Sequence, residues 1–145
     1  MTTITASLHE LVYAMDGLAE RELVRSFGVD RNLFEFLTPL AEGPMDVTRL
    51  ALALNLTKAA VSKRVQRLEQ QGWLRVSGDP AHGRRVVLSL TPQGADLVRR
   101  AGGLLNERFA VILSEALIDP AAFHAQLRSL VDAVRGLDSL SGVAS

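Results

Sequence analysis

Two short amphipathic helices, separated by only two residues, dominate what residues 46–70 of this chain can become. Asp46 is suited to cap the first, whose inward face is Val47, Leu50, Ala51 and Leu54, and Asn55 and Leu56 form the turn. Thr57 is suited to cap the second, KAAVSKRVQRLEQQ, which stops at Gly72. At about 100° per residue, Val61, Val65 and Leu68 share one side of this helix. Ala59, Lys63, Gln66 and Gln70 lie opposite, with Ser62 and Arg67 at the margins. Helices this short gain little stability alone and must bury their apolar sides on a neighbour, so the spacing predicts a helix-turn-helix.

The outward face of the second helix suits a major groove about 12 Å wide. Small residues near its start, Ala59 and Ser62, allow close approach. Lys63 can reach guanine O6 and N7 or a phosphate, and Gln66 can pair with adenine. Thr57 and Lys58 stand where a helix N-terminus attracts phosphate, and Arg67 adds charge at the margin. A solvated polar face would look the same, so the helix alone leaves both readings open. Two β-type runs follow, Trp73 to Ser77 and Arg85 to Leu90, joined by a loop with two glycines and a proline that reads as a hairpin. Arg84 and Arg85 would stand at its tip, where arginine can enter a narrow minor groove, and Asp79 can pair with Arg84 across the loop. The other reading is an ordinary exposed hairpin with a marginal surface ion pair.

Charge supports the groove reading. The chain is neutral overall, yet residues 49–100 hold ten Lys or Arg against three acids, a net +7. Residues 1–48 carry −5 and residues 101–145 carry −2. A basic centre between acidic flanks points to one segment facing a polyanion.

The flanks read as helices. Leu8, Leu11, Val12, Met15, Leu18, Ala19 and Leu23 form one stripe between Thr5 and Ser26, ended by Gly28. Asp30 caps a second helix that Pro39 should kink or end near Leu37. Thr91 and Pro92 start a long helix, Asp119 and Pro120 a last one, and the tail after Gly136 is expected to fray. The expected fold is mainly α (α+β), a winged helix-turn-helix in a single domain, residues 1–145. The DNA-binding lobe is residues 46–91. The apolar stripes of residues 4–26 and 92–136 predict a homodimer through these helices, with an intrachain bundle as the alternative.

Catalysis has no constellation to rest on. Cysteine is absent, the histidines at 9, 82 and 124 are scattered, and HExxH, GxSxG, Walker and GxGxxG patterns are missing. No enzyme activity, cofactor or metal is expected, and His9 reads as a lone surface histidine. The N-terminus does not read as a secretion signal and no apolar run is long enough to span a membrane, so a cytoplasmic protein is expected.

The runs LALALNLTKAAVSKRVQRLEQQGWLRVSGDPAHGRRVVLSLTPQG and FGVDRNLFEFLTPLAEGP resemble the multiple antibiotic resistance regulator (MarR) family of bacterial transcription factors. The most specific matches are Leu50, Ala51, Leu54, Val61, Ser62, Leu68, Glu69, Gly72, Asp79, Arg84, Leu90, Thr91, Pro92 and Gly94. The resemblance implies that Ser62, Lys63 and Gln66 read the major groove and Arg84 the minor groove of a pseudo-palindromic duplex site. It implies a regulator, usually a repressor, with a dimer built from the first and last two helices. It also implies release by a small aromatic or phenolic acid, for which His9, Tyr13, Arg21 and Arg25 are the candidates; their plainer role is the polar side of the first helix. This chain departs from the family at His82, where the wing often has a second aspartate, and at Pro39 within the second helix. A winged-helix module for protein–protein interaction, without DNA binding, is the alternative; acidic or bulky residues on the outer face would favour it.

Overall fold

The helix caps read from the sequence are made in the computed structural model, which describes residues 1–78 and 86–142. The side chains of Asp30, Asp46, Thr57 and Asp119 accept hydrogen bonds from the amides of Leu33, Arg49, Ala60 and Ala122 at 2.8–3.1 Å. They delimit α2 (Arg31–Leu37), α3 (Val47–Leu54), α4 (Lys58–Gln70) and α6 (Pro120–Ser141), while α1 spans Ile4–Phe27 and α5 Pro92–Glu115. Gly28 ends α1 at φ 66°, a left-handed position that costs glycine nothing. Pro39 acts as expected: α2 stops at Leu37 and the chain continues as a 3-10 turn, Thr38–Glu42.

Three strands form an antiparallel sheet in the order β1, β3, β2, where β1 is Met45–Asp46, β2 Leu74–Gly78 and β3 Val86–Leu90. Val76 pairs with Leu88 across β2 and β3, and Leu88 also pairs with Met45 of β1. The sequence reading had a hairpin only. β1 leaves no trace in the sequence pattern, because two residues carry no periodicity and Asp46 doubles as the cap of α3.

The chain divides into two compact units, residues 1–105 and 106–145. The first packs Leu23 of α1, Phe36 and Leu37 of α2, Leu50 of α3, Val61 and Val65 of α4, Leu74 and Leu88 of the sheet, and Leu97 and Ala101 of α5 into one core. Trp73 is half-buried against it, at the foot of β2. In the second unit Phe109 and Phe123 meet edge to face at 6.1 Å. The expected fraying after Gly136 is corrected here: α6 continues to Ser141, since one exposed glycine costs a helix only about 1 kcal/mol.

The N-terminal half of α1 is exposed among the described residues. Leu8, Leu11 and Val12 are 45%, 41% and 53% exposed, so the apolar stripe is buried only towards its end, at Leu23. Among the described residues no helix is long and apolar enough to cross a membrane.

Candidate nucleic-acid interface

The second helix of the tight pair, α4, is buried along one side and open along the other. Val61, Val65 and Leu68 are 0%, 6% and 4% exposed, and burial of each side chain contributes about 1.5–3 kcal/mol. Ala59, Ser62, Lys63, Gln66 and Arg67 are exposed, as the wheel required, and Thr57 and Lys58 are exposed at the helix start. Asn55 makes the preceding turn possible by taking a left-handed conformation, φ 54°, which asparagine tolerates better than most residues. Among the described residues Lys58, Lys63 and Arg67 have no carboxylate partner, which leaves their charge available to an anion.

Glu69, in the last turn of α4, accepts a hydrogen bond from the Val76 amide at 2.9 Å. β2 is an edge strand, so this carboxylate occupies an amide that the sheet does not use and ties the wing to the helix. The sequence reading matched Glu69 to a motif without giving it a task. One signal was present: no Lys or Arg stands three or four positions away to pair with it on the helix.

A second tie lies where the wing returns. The Thr91 hydroxyl donates to the carbonyls of Gly72 (2.6 Å) and Trp73 (3.1 Å) and accepts from the Gly94 amide (3.0 Å), which caps α5. The Thr91 amide also donates to the Trp73 carbonyl at 3.2 Å. Gly94 permits this approach, because a methyl there would run into the Trp73 carbonyl oxygen. The spacing Thr91, Pro92, Gly94 is thereby explained by contact.

Arg64 is the cation the sequence reading left without a role. It is half-buried, with its guanidinium 4.6 Å from the centre of the Phe36 ring. The clue was angular: Arg64 lies only about 40° from Leu68 and 60° from Val61 around the helix. Asp79, His82, Arg84 and Arg85 fall outside the described residues, so the wing tip remains a reading of the sequence.

His9, Tyr13, Arg21 and Arg25 are all exposed on α1, and Arg25 is paired with Glu22 at 2.8 Å. His9 and Arg25 are separated by roughly 24 Å along the axis. A small acid can therefore reach His9 with Tyr13, or Arg21 with Arg25, but not all four on one chain. The second unit holds a cavity of about 310 Å³ between α5 and α6, lined by Phe109, Leu113, Phe123, His124 and Leu127 among others; it includes none of the four. Among the described residues no group of three His, Asp or Glu could hold a metal ion.

The sequence model of the MarR family matches residues 27–85. The solved structure of NadR in complex with 4-hydroxyphenylacetate matches with a TM-score of 0.77 at 23% identity, covering 92% of this chain and 93% of that one. A MarR/EmrR family transcriptional regulator from Acinetobacter sp. ADP1 matches at 0.73 and 25% identity, covering 93% and 94%. The S. aureus MepR–DNA complex matches at 0.71 and 20% identity, covering 94% and 99%. Comparison with curated proteins found no match.

Proposed function

We propose that this chain, whose residues 27–85 match the sequence model of the MarR family, is a DNA-binding transcriptional regulator of that family that reads double-stranded DNA as a homodimer and has no catalytic role. The observation that carries the reading is the two-sided character of α4. Its apolar side is locked into the core, while Thr57, Lys58, Ala59, Ser62, Lys63, Gln66 and Arg67 face outward beside a wing held by Glu69. Ser62, Lys63 and Gln66 are assigned to base edges, Thr57, Lys58 and Arg67 to phosphates, and Arg84 and Arg85, braced by Asp79, to the minor groove.

The dimer is assigned to residues 4–26 and 92–136, extended by the remainder of α6. Leu8, Leu11 and Val12 of α1 and Leu130, Val134 and Leu137 of α6 are each at least 41% exposed in the single chain. Covering them with a second copy is the simplest way to remove them from water, and twofold symmetry then matches a pseudo-palindromic site. The regulator acts as a repressor by occupying a promoter, and a small aromatic acid relieves it. The ligand in the NadR structure, 4-hydroxyphenylacetate, supports that chemical class.

The test is a mobility-shift assay on the DNA flanking the protein's own gene, repeated across salt concentrations. With about six to ten phosphate contacts per dimer, affinity should fall roughly 10³- to 10⁵-fold between 50 and 200 mM salt. Failure to shift any duplex, or a flat salt response, refutes the reading.

A further inference from the structure

Of the four cations on α4, Lys58, Lys63 and Arg67 are exposed and Arg64 is half-buried. Its guanidinium stacks over Phe36, itself 1% exposed, and its Nη2 donates to the Asn32 carbonyl at 3.4 Å. Both partners belong to α2. That helix is in turn anchored to α1: the Arg31 amide donates to Glu20 Oε2 at 2.7 Å, and the Arg31 guanidinium lies 3.7 Å from Asp16 and 2.8 Å from Glu35. A continuous run of polar and stacking contacts thus leads from α1 through α2 to α4.

We infer that Arg64 is a positioning residue that fixes α4 against α2 and, through Arg31 and Glu20, makes the presentation of the recognition helix depend on α1. The inference rests on the DNA-binding reading of α4 and adds a route by which that surface is regulated. Arginine suits the position because a planar guanidinium can stack on a ring and donate in its own plane at once, which a lysine ammonium cannot do. Burial, and then the charge of Arg67, push the Arg64 pKa below its ordinary value, as expected of a side chain drawn towards a ring and away from phosphate. An acid captured at Arg21 or Arg25 would sit within about one and a half helical turns of Glu20 on α1, at the start of this run.

The experiment uses full-length protein with Arg64→Lys, Arg64→Met, Glu20→Ala and the Glu20→Ala/Arg64→Met double variant. DNA affinity is measured against salt, and hydrogen exchange is followed across residues 58–70. Both Arg64 variants should bind roughly 5- to 30-fold more weakly, the range expected for one stacked cation. The salt slope should be unchanged, because Arg64 touches no phosphate. Glu20→Ala should raise exchange in α4, and the double variant should bind no more weakly than Arg64→Met alone. Three results overturn the inference. Arg64→Lys could bind like wild type while Arg64→Met lowers the salt slope by about one, which marks a phosphate contact. Both Arg64 variants could unfold more readily yet bind DNA normally. Glu20→Ala could leave exchange in α4 untouched. If wild type binds no duplex, the DNA reading falls, and exchange in Glu20→Ala still decides whether α1 and α4 are tied.

Discussion

Gly94→Ala should destabilise the first unit although it replaces glycine by the best helix former within a helix. In an unobstructed helix the exchange gains about 1 kcal/mol. At Gly94 the new methyl meets the Trp73 carbonyl oxygen and lies 3.2 Å from its carbon and 3.3 Å from Leu90 Cδ2. Backbone cannot rotate aside as a side chain can, so α5 and the Trp73 backbone must separate by on the order of an ångström. That displacement stretches the two hydrogen bonds from Thr91 to Trp73, now 3.2 and 3.1 Å, each worth about 0.5–1.5 kcal/mol. Overpacking adds about 1–3 kcal/mol. After subtracting the propensity gain, the net loss is about 3 kcal/mol, which at a urea m-value of about 1–3 kcal/mol/M lowers the midpoint by roughly 1–3 M. Gly103→Ala is the control on the same helix, because nothing lies within 4 Å of its added methyl, and it should be neutral or stabilising. Denaturation of wild type and both variants at one fixed protein concentration makes the comparison. If Gly94→Ala unfolds at or above the wild-type midpoint, the contact between α5 and Trp73 is not what demands glycine.

Gln66→Ala should relax preference at particular base pairs, costing about 1–3 kcal/mol if its contact is bidentate, whereas Arg84→Ala should weaken most sites and leave base preference intact. Selection from randomised duplexes reads both, with each loss repeated in the two halves of an inverted repeat; the opposite pattern would reverse the roles of helix and wing. Glu69→Ala frees the Val76 amide and should cost about 0.5–1.5 kcal/mol of stability. It should also weaken binding evenly across sequences, and a change confined to one base position would place Glu69 in direct readout instead. Leu11→Glu puts a charge on the exposed stripe of α1 and should convert a dimer to monomers in sedimentation; an unchanged dimer would remove α1 from the interface.

Local features of this fold were legible because they depend on near neighbours in the chain. Asp30, Asp46, Thr57, Thr91 and Asp119 cap the helices they announce, and Pro39 ends α2 where its missing amide requires. The buried side of α4 followed from the helical period alone, and its complement supplied Ala59, Ser62, Lys63, Gln66 and Arg67 as candidate contacts. Other decisions belong to tertiary structure, because they pair groups whose separation in sequence carries no signal. Met45 joins Leu88 to make a third strand, Arg64 reaches back 32 positions to Asn32, and Glu69 takes an amide from an edge strand. Gly94 was recognisable as part of a pattern, but only the approach of the Trp73 carbonyl gives the reason for it. The sequence by itself determined the periodic and capped elements, since those are short-range consequences of side-chain size and hydrogen bonding. Which cation faces outward and which is turned inward against a ring was decided by packing, since only the assembled core brings Phe36 to Arg64.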